Sequence, residues 1–142
     1  MIIAIGSDHA GFLLKEEIKR YLSKRNISVI DVGASSNDIS VDYPDFANKV
    51  SKLILSKKAD KGILVCGTGI GMSIGANRHK KIRAALCYDI YTAKMARMHN
   101  DANVLCIGAR TTEPKTAKKI VGIFLSTDFE GGRHKKRVRK LG

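Results

Sequence analysis

The chain has 142 residues, 44% of them hydrophobic, which is enough for one well-filled core and too few for two ordinary domains. No stretch approaches the roughly 20 apolar residues that span a bilayer, and Met1 to Ile5 runs straight into Gly6 and Asp8 without a basic flank, so a soluble, unexported, cytoplasmic protein is expected. The formal net charge of +13 admits nucleic acid as a partner, but there is no Trp and aromatics make up only 6%, so no stacking platform alternates with the basic residues; the excess charge is read as a solvated surface plus a small anionic ligand.

The apolar run at 2–5 predicts a first strand, and residues 12–24 follow with Leu13, Leu14, Ile18, Tyr21 and Leu22 at near-helical spacing. A second strand is predicted at 28–32. Residues 33–42 are polar and rich in Ser and Asn, the composition of an ordered loop over a sheet edge or a site mouth, and they end at Tyr43-Pro44. A helix at 45–56, with Phe46, Val50, Leu53 and Ile54 on one stripe, leads to a strand at 62–66 and a helix at 70–77. The pattern repeats as a strand at 83–87, a helix at 90–98, a strand at 104–107, and a helix at 114–125 that opens with Pro114 behind Thr112-Glu113. After Glu130-Gly131-Gly132 the tail is basic and poor in apolar residues; a basic helix over 131–142 is expected to complete a phosphate site, and contacts with a ligand or partner would help to order it. The alternation predicts an α/β, Rossmann-like three-layer sandwich with a five-stranded parallel sheet, all of residues 1–142 forming one domain without repeat or linker.

In such a sheet, ligands bind beyond the carboxyl ends of the strands, where the winding reverses. Asp8 and His9 after the first strand, Cys66 to Gly71 after the third, and Arg110 after the fifth are expected on that rim. The loop Gly67-Thr68-Gly69-Ile70-Gly71 lacks the third glycine of a dinucleotide fingerprint, since Met72 stands there, and lacks the Gly-Lys-Ser/Thr of a phosphate-binding P-loop. What remains is a nest of backbone donors that can hold an oxyanion or a carbonyl oxygen. Cys66 beside it has two readings: a thiol whose thiolate form is favoured at a helix start and which acts as base or nucleophile, or a buried strand-end cysteine. Cys87 and Cys106 read as small core residues, and the odd count, without a Cys-x-x-Cys pair or Cys/His metal spacing, points to a reduced compartment and no metal. His99-Asn100-Asp101 lies outside any apolar stripe, as a surface, capping or functional group. Arg133 and Arg137, four apart, share one face if the tail is helical, either as solvated charge or as a clamp on one phosphate.

Taken together, Gly6-Ser7-Asp8-His9-Ala10-Gly11, Asp42-Tyr43-Pro44, Cys66 to Gly71, His99-Asn100-Asp101, Gly108-Ala109-Arg110 and Gly131-Gly132-Arg133-His134 resemble the ribose-5-phosphate isomerase B family over essentially the whole chain. The resemblance implies interconversion of ribose 5-phosphate and ribulose 5-phosphate through an enediolate, in the pentose phosphate pathway, with no metal or organic cofactor. It implies that Cys66 is the base moving a proton between C1 and C2 and that residues 67–71 hold the developing oxyanion. It further implies that His99 donates a proton in ring opening, assisted by Asp8 and Thr68. His9, Arg133 and Arg137 would bind the phosphate, and Asn100 and Arg110 the sugar or its phosphate end. A homodimer, or a dimer of dimers, would share its sites, with His99, Asn100 and Arg110 reaching across from the partner. Some members lack the cysteine and use a glutamate just beyond the glycine loop; here Cys66 is present and position 75 is Gly.

Three other readings have distinct signatures. A hexose 6-phosphate isomerase, acting on allose or galactose 6-phosphate, would use the same enediolate chemistry in a longer pocket. A nucleic-acid-binding module would rest on the basic tail and bind in a salt-dependent way. A regulator that binds a sugar phosphate without turnover would need neither Cys66 nor His99.

Overall fold

The computed structural model describes residues 1–142. The elements run β1 (Ile2–Ser7), α1 (Phe12–Ser23), β2 (Ser28–Asp31), α2 (Tyr43–Leu55), β3 (Lys61–Cys66), α3 (Ile70–Ala76), β4 (Ala84–Leu86), α4 (Ile90–Asn100), β5 (Val104–Gly108), α5 (Pro114–Ser126) and α6 (Gly132–Arg139). All five strands are parallel, in the order β2-β1-β3-β5-β4. The chain winds outward from β1 to β2 and then returns to place β3 on β1's other side, so the reversal lies between β1 and β3.

The central strands are apolar on both faces, and their alternation sorts the core into two layers. Ile3, Ile5, Ile63, Val65, Leu105 and Ile107 face α1, α4 and α5, where they meet Ile18, Leu22, Ile120 and Phe124. Ala4, Leu64, Cys66, Val104 and Cys106 face α2 and α3, against Phe46, Val50 and Met72. Full burial of a side chain such as Phe124 contributes about 1.5–3 kcal/mol. The result is a Rossmann-like three-layer sandwich, and its register puts the Cys66 side chain on the α2/α3 side.

Strand β1 runs two residues beyond the predicted 2–5 because Gly6 and Ser7 pair with Leu64 and Val65; lateral pairing overrides their weak strand preference. Helix α2 starts at Tyr43, two residues before the predicted start, with Pro44 in its first turn, where a missing N–H costs nothing. Strand β4, at the sheet edge, is shorter than predicted. The basic tail, expected as a helix over 131–142, is helical as α6 and stops at Arg139. No helix is long and apolar enough to cross a membrane.

Candidate active site

Two turns meet at the carboxyl ends of β1 and β3. Asp8 is 7% exposed and its Oδ1 accepts the Gly11 N–H at 3.0 Å, closing the turn into α1. A Cβ on Gly11 would collide with the Val65 carbonyl, so this close approach of β1's turn to β3 requires glycine. The Val41 N–H donates to His9 Nδ1 at 3.1 Å. That bond leaves Nε2 as the protonated nitrogen of the neutral ring, a free donor at the site mouth. It also ties the polar 33–42 segment over the site.

Cys66 closes β3, and its Sγ accepts the Gly69 N–H at 3.1 Å. Gly69 has φ +78°, and a Cβ there would stand 2.6 Å from Leu86 Cδ1, so the turn that aims this N–H at sulfur depends on glycine. Thr68 Oγ1 accepts the Ile70 N–H at 3.3 Å. The Arg110 N–H donates to the Gly67 carbonyl at 2.9 Å, and its guanidinium lies so close over Gly67 that a Cβ there would be 3.0 Å from Nη1. The Tyr43 ring covers Gly71 in the same way. A thiol, a turn of backbone donors and a guanidinium at one rim suit removal of a proton beside a group that becomes an oxyanion.

A second cluster forms at the end of α4. Asp101 caps the helix in the left-handed region at φ 46°. Its carboxylate accepts from Arg97 Nη1 at 2.9 Å and Arg83 Nη2 at 3.0 Å. Arg97 also donates to the Ala102 and Thr127 carbonyls, and Arg83 to those of Asn100 and Asp101, so the last helical turn, which carries His99 and Asn100, is clasped from two sides. The His99 ring stacks on His134 with centroids 4.2 Å apart and planes 10° from parallel. Glu130 reaches both rings, 3.8 Å from His99 Nε2 and 3.9 Å from His134 Nε2. Arg133 Nε donates to His134 Nε2 at 3.4 Å. Burial lowers the pKa of His134, helped by the positive neighbours His99, Arg133 and Arg137 and opposed by Glu130. His99, Asn100, His134 and Arg137 line a cavity of about 340 Å³.

The two clusters lie at opposite ends of the sheet. Cys66 and Arg110 stand beyond the carboxyl ends of β3 and β5, whereas His99 and Asn100 precede the amino end of β5. A five-residue strand separates these ends by on the order of 15 Å. One chain therefore unites Asp8, His9, Cys66, Gly67, Thr68, Gly69, Ile70, Gly71 and Arg110, and separately unites His99, Asn100, Arg133 and Arg137. Arg110, expected to reach across with His99, sits on its own chain's glycine loop, while Arg133 and Arg137 sit with His99. Glu130, His134, Arg97 and Asp101 had no role assigned from sequence, although the Arg97/Asp101 spacing of four at the end of a predicted helix is a readable signal. Cys87 and Cys106 are core residues as expected: burial pushes the Cys87 thiol up to about 11 and the Cys106 thiol well above its usual value. A depression of about 610 Å³ between α1 and the start of β2 touches neither cluster.

A model of the family described as Ribose/Galactose Isomerase matches residues 3–141. The ribose-5-phosphate isomerase B of Escherichia coli is 45% identical over 139 residues, covering 98% of this chain and 93% of that protein. The structure of ribose-5-phosphate isomerase B from Clostridium thermocellum superposes with a TM-score of 0.98 at 51% identity, covering 100% of this chain and 95% of the other. That of the ribose 5-phosphate isomerase from Thermotoga maritima superposes with a TM-score of 0.97 at 55% identity, covering 99% and 96%.

Proposed function

Since the chain belongs to the ribose/galactose isomerase family, we propose that it interconverts D-ribose 5-phosphate and D-ribulose 5-phosphate, with Cys66 as the base. The observation that carries the role of Cys66 is its Sγ at 3.1 Å from the Gly69 N–H, within a turn of backbone donors at the carboxyl end of β3. His99 donates a proton to the ring oxygen while the anomeric hydroxyl loses one, which frees the C1 aldehyde; Asp8 and Thr68 assist. The Cys66 thiolate then takes the proton from C2, and the negative charge that develops on O1 is met by the N–H groups of residues 67–71. Return of that proton to C1 and passage of the O2 proton to O1 completes the ketose. The two protons balance and no external oxidant is consumed.

The substrate phosphate is held by the Nε2–H of His9 together with Arg133 and Arg137, whose guanidinium groups form fork-shaped hydrogen bonds to phosphate oxygens. Asn100 and Arg110 contact the sugar or its phosphate end. Because one chain separates Cys66 from His99, a complete site takes the Cys66 rim of one protomer and the His99 cluster of another. This separation supports a homodimer, or a dimer of dimers, with shared sites. Exposed Tyr43, Ile70 and Ile74, 40%, 52% and 54% accessible beside the glycine loop, supply apolar surface for that pairing. We place the enzyme in the cytoplasm, as one domain completed by α6, within the pentose phosphate pathway.

Initial rates of the purified protein on ribose 5-phosphate, allose 6-phosphate and galactose 6-phosphate test the reading. The pentose phosphate is expected to be turned over fastest, and Cys66→Ala is expected to slow it by roughly 10²–10⁴-fold. A hexose phosphate turned over faster, or a Cys66→Ala rate equal to wild type, would overturn it.

A further inference from the structure

At the end of α4 two imidazoles lie face to face, and stacked at 4.2 Å they cannot both carry charge without strong repulsion. We infer that His134 is a positioning residue that stays neutral, with its proton on Nδ1, so that the His99 ring stacked on it holds the proton used in ring opening, with Glu130 as its counter-charge. The inference rests on the reading of His99 as the ring-opening acid.

The Arg133 contact decides which ring is neutral. A guanidinium has only donors, so the His134 Nε2 that receives Arg133 Nε–H at 3.4 Å presents a lone pair, and the ring's single proton is on Nδ1. Burial points the same way, since His134 is 4% exposed while the side chain of His99 is 37% exposed. Glu130 alone does not choose, standing 3.8 Å from one Nε2 and 3.9 Å from the other. The charged groups facing the pair from the α6 side are Glu130, Arg133 and Arg137; on α4's own end they are Arg97 and Asp101, with Arg83 donating to Asp101. The cationic ones disfavour a second proton in the stack. The Glu130 N–H donates to the Met98 carbonyl at 3.0 Å, which fixes the carboxylate's segment to the turn that carries His99.

His99, Glu130 and His134 also bring three metal-ligand atoms within 4.8 Å of one another. Lone pairs on nearly parallel rings run side by side and do not converge on one point, so the arrangement suits division of one proton better than a metal ion.

Ribulose 5-phosphate provides the test, because its phosphorylated O5 keeps it open-chain and exchange of its C1 hydrogen with D2O reports the Cys66 step without ring opening. His134→Ala is expected to lower kcat on ribose 5-phosphate at least tenfold and leave C1 exchange within about threefold. His134→Phe, a neutral flat ring, is expected to restore the ribose 5-phosphate rate to within about threefold of wild type. Glu130→Gln, at a 46% exposed side chain, removes the counter-charge of the imidazolium. The alkaline limb of the ribose 5-phosphate profile should then move to lower pH while the exchange profile stays unmoved. A His134→Phe rate as low as that of His134→Ala, parallel loss of turnover and exchange, or an unmoved Glu130→Gln limb would overturn the inference. No C1 exchange in the wild-type enzyme would instead strike the isomerase reading itself.

Discussion

Replacement of Asp101 separates the charge of its carboxylate from the backbone it caps. The carboxylate pairs with two arginines, and one of them, Arg97, is 7% exposed. A charge-assisted hydrogen bond is worth roughly 1.5–3 kcal/mol, but the Asp101 side chain is 34% exposed, so solvent screening brings the two together to about 1–2 kcal/mol. Asp101→Asn keeps the shape and tolerance of φ 46° and is expected to cost that much. Asp101→Ala adds the steric cost of the left-handed conformation, roughly 1–2 kcal/mol, for a total of about 2–4 kcal/mol. Asp101→Gly escapes the steric term but adds roughly 0.5–1 kcal/mol of backbone entropy, so it should fall between them. Urea unfolding measures the series, with an accompanying fall in melting temperature of about 4 °C per kcal/mol. Because the clasp holds the turn that bears His99 and Asn100, Asp101→Ala should also slow ribose 5-phosphate turnover more than C1 exchange of ribulose 5-phosphate. An Asp101→Ala protein within about 0.5 kcal/mol of wild type would refute the reasoning, as would one with both rates intact.

Other outcomes follow from the same geometry. Gly69→Ala forces a Cβ against Leu86 at φ +78° and should cost about 2–4 kcal/mol of stability and remove nearly all turnover, read by urea unfolding and initial rates. Iodoacetamide at pH 8 should label Cys66 and spare Cys87, whose thiol is pushed up to about 11, and Cys106, with peptide mass spectrometry as the readout and ribose 5-phosphate protecting Cys66. Burial works to raise the pKa of Asp31, but hydrogen bonds from Lys15, Lys19 and the Gly33 N–H prevail and hold it below the usual carboxylate range. Such a group stabilises the fold above its unfolded pKa near 4, and the contribution is lost as pH falls through its lowered folded value. Wild type should therefore lose more stability than Asp31→Asn between about pH 4 and pH 2, measured by thermal unfolding at each pH.

Much of this was legible in the sequence, because strands buried on both faces write continuous apolar runs such as Gly62 to Val65 and surface helices write a stripe such as Phe46, Val50 and Leu53. The Cys66 rim was legible too: it is built from local turns, and Asp8, Gly11 and residues 66–71 each lie within a few positions of a strand end. The second cluster was less so. His99 and His134 are brought together by the packing of α4 against α6, and no local pattern marks a stack between residues 35 apart. The grouping of Arg110 with Cys66, and of Arg133 and Arg137 with His99, depends on which end of the sheet each loop leaves, which is a property of the topology and not of any motif. The helix of the tail was only faintly written because its stabilising contact is one buried side chain, His134, in an otherwise solvated and basic segment.

The most direct test of the shared site is a mixing experiment. Cys66→Ala and His99→Asn proteins, each nearly inactive alone, are denatured together and refolded as a mixture. Random pairing of protomers gives hybrids in which one site carries both changes and the other carries neither, so about a quarter of wild-type activity should return. If every site lay within one chain, the mixture would stay as inactive as its parts.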